Sequence, residues 1–324
     1  MRRCWRELIQ AALLGIVLPA LILGFGVALR TRVSVQQEQV MPVISAPEAG
    51  AEPITMYLRL GQEHIPMELE TYLVGVVCAE MPASFEVEAL KAQAVVARTY
   101  TLKAVTTGGK HGDGSLCADP ACCQAFMQEA DFLERGGTAA DLDKLRSAVA
   151  ETRGLVLTYE GKLIEATYFS CSGGSTEDAV AVWGTDYPYL RAKDSPGEEQ
   201  ATYYRDRVFF TRSTLEEVLG VSLGSDPNRW IGYTTYTAGN GIHTMVIAGK
   251  EFSGTQLRKL LGLRSTAFSV ETREDGVDII TRGYGHRVGM SQYGADAMAL
   301  SGSDFRQILS YYYTGTELVS WAEN

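Results

Sequence analysis

The sequence predicts an α+β fold. Its apolar period switches irregularly between two and about 3.6, and two turn signals, Glu160-Gly161 and Asp275-Gly276, each divide a pair of strand-like runs as in a hairpin. No repeating strand–helix–strand rhythm suggests a doubly wound parallel sheet. Hydrophobic residues at 46% and charged residues at 21% exclude both a disordered chain and a polytopic membrane protein over the 324 residues.

The first segment stands apart. Arg2, Arg3 and Arg6 precede Leu8 to Leu29, 22 residues without a charge, which is long enough to span a bilayer as a helix. A cleaved signal peptide is the alternative, with Gly26 and Ala28 as its small residues, but the run is long for that role. Although Arg30 and Arg32 follow, the three arginines before the run favour that end in the cytoplasm. Residues 1–29 are therefore expected to be a cytoplasmic end and transmembrane helix, a single-pass anchor in the cell membrane with the rest outside. Residues 30–54 hold Gln36-Gln37-Glu38-Gln39 and three prolines and form a linker, either an extended tether or a short helix ended by Pro42. Residues 55–324 are the expected functional domain.

Within it, Met56, Leu58 and Leu60 alternate as in a strand, and Ile65-Pro66-Met67 is expected to turn directly into a helix. Leu69, Leu73, Val76 and Val77 recur on one helical face, and the helix must stop by Met81, because Pro82 disfavours α conformation there. A second helix follows, with Ser84 as its expected N-cap, a stripe of Val87, Leu90, Ala94, Ala97, Thr101 and Val105, and Gly108-Gly109 as its stop. Hairpins are expected over 154–167 and 268–282. A helical stretch begins at Ala295, and a short closing helix covers 304–313.

Charge and cysteine usage narrow the chemistry. Lys+Arg number 29 against 39 Asp+Glu, a net charge of −10, which argues against a nucleic-acid backbone as the main partner. Glu80 continues the apolar face of the first helix at its negative end, where desolvation and the dipole both favour the protonated acid. That is what a general acid needs, although an acidic residue at a helix end can equally turn to solvent. On the second helix Lys91 and Arg98 share one flank of the stripe and Gln93 the other, as ligand donors or as a solvated edge. His111, Cys117, Cys122 and Cys123 fall within thirteen residues of a glycine-rich loop. They suit a zinc ion through three or four ligands, with a disulfide as the rival reading. Two polar loops complete the set. The first, Tyr168 to Thr176, contains Ser170 and Cys171. The second, Gly283 to Gly294, contains His286, Gln292 and Tyr293. Both can bring backbone N–H groups and polar side chains to a ligand.

These motifs, in this order, resemble the stage II sporulation protein D family of membrane-anchored lytic transglycosylases from endospore-forming bacteria. The likeness rests on Glu80-Met81-Pro82 with Lys91, Gln93 and Arg98, the His111 loop ending in Cys123-Gln124, the Tyr168 loop, and the segment through Gln292 and Tyr293. It implies Glu80 as catalytic acid/base, Lys91, Gln93, Arg98 and Tyr168 in a glycan cleft, and His111, Cys117 and Cys123 as zinc positions. Where family members often carry His-Cys before the Gln, this chain has Cys122-Cys123. The implied reaction breaks the MurNAc–GlcNAc bond of peptidoglycan strands during engulfment and leaves 1,6-anhydro-MurNAc ends. The implied partners are a sporulation amidase and a further membrane protein. A hydrolytic muramidase, a non-catalytic glycan-binding scaffold and a zinc peptidase or amidase are the alternatives.

Overall fold

The computed structural model describes residues 53–321. The expected anchor and nearly all of the expected linker lie outside the described residues. Among the described residues, no helix is long and apolar enough to cross a membrane.

The described residues form a mixed α and β unit with several small, mostly antiparallel sheets. Strand β1 (Thr55–Leu60) buries Met56 and Leu58 and pairs antiparallel with β2 (Glu63–Glu68). The expected turn at Ile65-Pro66-Met67 is instead part of β2. Pro66 has no N–H to donate, and β2 tolerates it as the edge strand of its sheet. Helix α1 (Leu69–Glu80) is capped by Glu68, which accepts the Thr71 N–H at 2.8 Å. It is buried along Tyr72 to Cys78 and ends as Met81 turns extended (φ −128°, ψ 139°) ahead of Pro82.

The central helix α2 (Val87–Thr107) begins at Glu86 rather than at Ser84. Asp296 accepts the Glu86 N–H at 2.7 Å, so a side chain distant in sequence supplies the helix-start contact expected of a local serine. Leu90, Val95, Val96 and Leu102 are buried on it, each contributing roughly 1.5–3 kcal/mol, and Gly108 ends it at φ 83°.

Strand β3 (Leu116–Cys117) joins β1 in parallel. Helices α3 (Glu129–Glu134) and α4 (Ala139–Glu151) follow, then the expected hairpin of β4 (Leu155–Tyr159) and β5 (Lys162–Leu163). Its turn residues Glu160 and Gly161 both have positive φ, as a two-residue hairpin turn demands. Next come β6 (Tyr168–Phe169), β7 (Gly174–Ser175), α5 (Ala179–Trp183) and β8 (Asp194–Ser195).

A long excursion then builds an apolar core of its own around Trp230, Leu257 and Ile279. It contains β9 (Arg205–Thr211), α6 (Arg212–Leu219), β10 (Ile231–Tyr236), β11 (Ile242–Ile247), β12 (Lys250–Ser253), α7 (Gly254–Leu260), β13 (Phe268–Thr272) and β14 (Gly276–Arg282). The hairpin expected over 268–282 is present, with β9 as its third strand. The chain returns through β15 (Met290–Ser291), α8 (Gln292–Leu300) and α9 (Phe305–Tyr312), the last with a capping box from Asp304. It closes with β16 (Glu317–Ser320) antiparallel to β4.

Candidate active site and metal-binding loop

Glu80 is the last residue of α1, and its carboxyl is only partly exposed. Oε1 accepts the Ala125 N–H at 2.9 Å. Burial pushes the acid above its ordinary value, while the Ala125 N–H, the Tyr168 hydroxyl and the Gln292 carboxamide act in the opposite direction. The net direction favours a protonated acid, as the helix-end position predicts. Burial and the adjacent Glu80 charge likewise push the Tyr168 phenol well up, so it remains a hydrogen-bond donor.

Three separate stretches, carrying Ala125, Tyr168 and Gln292, converge on this carboxyl. Strand β6 pairs in parallel with β15, placing Tyr168 opposite Met290 and Phe169 opposite Ser291, so the two polar loops singled out in the sequence are neighbours. The Tyr293 N–H donates to the Ser170 carbonyl at 3.1 Å, and the Tyr293 ring meets Phe85, just beyond Pro82, edge-on at 4.9 Å. The Tyr168 hydroxyl donates to Gln124 Oε1 at 3.2 Å, and Gln124 Nε2 donates to Thr101 on α2 at 2.9 Å. Gln292 Nε2 is buried and makes no hydrogen bond among the described residues. Its carboxamide nonetheless lies near enough to the Glu80 carboxyl to oppose the effect of burial on that acid.

The other expected cleft residues are placed differently. Gln93 is fully buried, with neither amide atom partnered among the described residues. Lys91 pairs with Glu88 and Glu151, both at 2.7 Å. Arg98 is completely buried and grips Glu70 through Nε at 2.9 Å and Nη2 at 2.6 Å, with further bonds to the carbonyls of Val149 and Leu155. Glu70 lies ten residues before Glu80 on the same helix, roughly 15 Å along the axis, so the structure does not bring Arg98 to the acid. His286 lies against Phe169 and Trp183 at ring distances of 5.7 and 5.2 Å. Its Nδ1 accepts the Val288 N–H, and burial, with the Arg258 charge, pushes it down to about 4. A neutral imidazole with its proton on Nε2 follows.

Sequence reasoning did not find Glu198. This buried carboxylate accepts from Ser172 N–H at 2.6 Å, Ser172 Oγ at 2.9 Å, Gly173 N–H at 3.0 Å and Cys171 Sγ at 3.2 Å, while its other oxygen accepts from Ser195. It pins the loop that follows Tyr168. Burial and the Glu198 charge push the Cys171 thiol far up, the opposite of what a nucleophilic thiolate requires. Ala125 was also missed. It acts through its backbone N–H, which no side-chain pattern marks, and its nearest signal was its place directly after Cys123-Gln124.

The His111 loop brings together one ligand atom each from His111, Cys117, Cys122 and Cys123, all within 4.8 Å of one another. His111 Nε2 is 3.8 Å from Cys122 Sγ and 3.5 Å from Cys123 Sγ, and the two sulfurs are 3.9 Å apart. Bonds of about 2.3 Å to sulfur and 2.0–2.1 Å to nitrogen give tetrahedron edges of roughly 3.6–3.8 Å, so His111, Cys122 and Cys123 fit three corners round one ion, with Cys117 Sγ within 4.8 Å of each. Among the described residues all five cysteines are free, and the Cys122 and Cys123 sulfurs lie 3.9 Å apart. Burial works against a thiolate at Cys117, but bonds from the Asp119 backbone, His111, Cys122 and Cys123 bring it down to about 7. Burial pushes Cys123 up to about 12. The cluster can hold a metal ion, and its last ligand is followed directly by Gln124 and Ala125, which reach Tyr168 and Glu80.

The site is therefore an acid raised in pKa at a helix end, held by the Ala125 N–H and next to a loop that can hold a metal ion. Comparison with known proteins shows the family. A family profile described as stage II sporulation protein matches residues 62–159, the stretch holding Glu80 and the His111 loop. The chain is 36% identical to stage II sporulation protein D of Bacillus subtilis (strain 168), over 96% of this chain and 93% of that protein. It is 40% identical to stage II sporulation protein D of Bacillus amyloliquefaciens, over 79% and 75%. It is also 31% identical to the amidase enhancer of Bacillus subtilis (strain 168), over 77% of this chain and 40% of that protein. The chain belongs to the stage II sporulation protein D family, a family of sporulation proteins.

Proposed function

We propose that this chain is a lytic transglycosylase that cuts peptidoglycan glycan strands between MurNAc and GlcNAc during endospore formation. The observation that carries the reading is the Glu80 carboxyl, whose pKa burial raises while the groups acting on it are an amide, a phenol and a carboxamide. No second carboxylate is among them. One carboxyl suffices for this reaction: Glu80 protonates the glycosidic oxygen, the C1–O bond breaks, and the resulting carboxylate removes the proton from the sugar's own 6-hydroxyl as that oxygen closes on C1. A glycoside hydrolase instead uses two carboxyl groups.

Zinc is the ion that three thiols and an imidazole suit best; held by His111, Cys117, Cys122 and Cys123, it would fix the loop that presents Gln124 and Ala125. The 22-residue apolar run supports a single-pass membrane anchor with the catalytic unit outside, where peptidoglycan lies. The likeness to an amidase enhancer supports an amidase as a partner, and the family resemblance adds a further membrane protein of the engulfment machinery.

Digestion of purified denuded strands followed by mass analysis tests the reaction. 1,6-Anhydro ends are expected from the wild type and none from Glu80→Gln. Reducing MurNAc ends alone would replace the reading with a hydrolase, and no cleavage with retained binding would replace it with a scaffold.

A further inference from the structure

The stretch of chain just past Glu80 is gripped from two sides. Helix α1 ends at Glu80 and Met81 is already extended, so the ladder of helical hydrogen bonds no longer dictates where the chain runs. On one side Lys144 of α4 donates from Nζ to the carbonyls of Ala83 at 2.8 Å and Phe85 at 2.5 Å. On the other, Asp296 of α8 accepts the Glu86 N–H through Oδ1 at 2.7 Å. The two gripping groups also feel each other. Burial pushes the Asp296 acid above its ordinary value, while the Glu86 N–H acts against this, as does the Lys144 charge.

The contacts between this stretch and α8 come in register. Gln292 acts on the Glu80 carboxyl, the Tyr293 ring meets Phe85 edge-on at 4.9 Å, and Asp296 takes the Glu86 N–H. Residues 80–86 therefore run alongside the first turns of α8. Gln292 and Asp296 are four positions apart and so share one face of that helix. Holding Glu86 on Asp296 thus fixes how Gln292 stands to the acid. Lys144 keeps the intervening carbonyls from peeling away. An acid that must reach one glycosidic oxygen tolerates little displacement, since a shift of about 1 Å costs on the order of a hundredfold in rate.

We propose that Asp296 and Lys144 are positioning residues for strand cleavage, a clamp that holds the Glu80 end of α1 against the turn of α8 bearing Gln292. This rests on the glycan reading above and adds two residues, neither in the glycan cleft, on which its rate depends.

The test measures kcat for cleavage of denuded strands by the full chain, and calorimetric affinity for the same strands in the Glu80→Gln background, where they stay intact. Asp296 and Lys144 are both half-buried and lie on different helices, so each variant checks the other. Asp296→Ala and Lys144→Met, assayed below their own Tm, are expected to lower kcat by about ten- to a hundredfold and to leave affinity within about twofold of the parent. Asp296→Asn keeps a carbonyl oxygen for the Glu86 N–H and should restore kcat to within about threefold of the wild type. Wild-type kcat in both Asp296→Ala and Lys144→Met overturns the clamp alone. So does affinity that falls in step with kcat, or an Asp296→Asn variant no faster than Asp296→Ala. A wild type that cleaves no strand overturns the transglycosylase reading and the clamp with it.

Discussion

Replacing Arg98 with methionine separates its two candidate roles, brace and ligand contact. Methionine keeps the apolar stem but leaves the Glu70 carboxylate without its bidentate partner and withdraws donors from the Val149 and Leu155 carbonyls. Breaking a buried pair by removing one partner costs about 3–5 kcal/mol. The Glu70 side chain retains 15% exposure, so water recovers part of its solvation and the lower end applies, about 3 kcal/mol. A body of this size loses roughly 2–4 °C of Tm per kcal/mol, which gives a drop of about 6–12 °C in a thermal scan. Pairing Arg98→Met with Glu70→Gln should recover much of this, because no buried charge is then left alone. Below the lowered Tm, affinity for glycan strands should match the wild type. A Tm within about 2 °C of the wild type together with lost glycan binding would refute the brace and return Arg98 to the cleft.

Glu80→Gln should abolish strand cleavage and raise the Tm at neutral pH. The folded pKa of Glu80 lies above its ordinary 4.5, so ionisation costs stability as pH rises past that value, and the variant's gain should vanish below about pH 4 in a pH series of thermal scans. Cys117→Ser should reduce bound metal by at least about tenfold in elemental analysis and expose the loop near Gln124 to limited proteolysis, with intact metal content counting against the four-ligand cluster. His286, pushed down to about 4, should show no imidazole titration by NMR between pH 5 and 8, and its contribution to stability should be lost as pH falls from about 6.5 toward 4.

The local architecture was legible wherever neighbours in sequence decide the outcome. The α1 face, the Pro82 stop, the Gly108 cap and the Glu160-Gly161 turn depend on residues within a few positions of one another, and the four candidate ligands of the His111 loop fall within thirteen. Ile65-Pro66-Met67 misled because whether proline fits a strand depends on which edge of the sheet that strand occupies. Ser84 misled because Asp296, over two hundred residues away, supplies the contact at the start of α2. The parallel pairing of β6 with β15 joins residues more than a hundred positions apart, without the turn signal that announces a hairpin. For the same reason sequence could nominate Tyr168 and Gln292 separately but not place them on one carboxyl. Glu198 carries no sequence signal, because most of the groups it gathers, the Ser172 hydroxyl and the Ser172 and Gly173 N–H groups, lie about twenty-five residues earlier in another loop.

The excursion with its own core begins at Arg205 and ends at Arg282, and these two residues are register partners across β9 and β14. Its entry and exit therefore lie about 5 Å apart, the spacing of facing residues on antiparallel strands. Such a junction is a natural splice point: the module can be exchanged or shortened in an engineered chain with only a tight turn between the stumps. The transplant has one condition. Gly239 and Gly241 lie over Glu177, and Arg287 donates to the Gly239 carbonyl, so an excised module strips cover from a buried ion pair. A minimal version of this protein must replace Glu177 and Arg287 together, as a matched neutral pair, or the shortened chain will be soluble only at the expense of its fold.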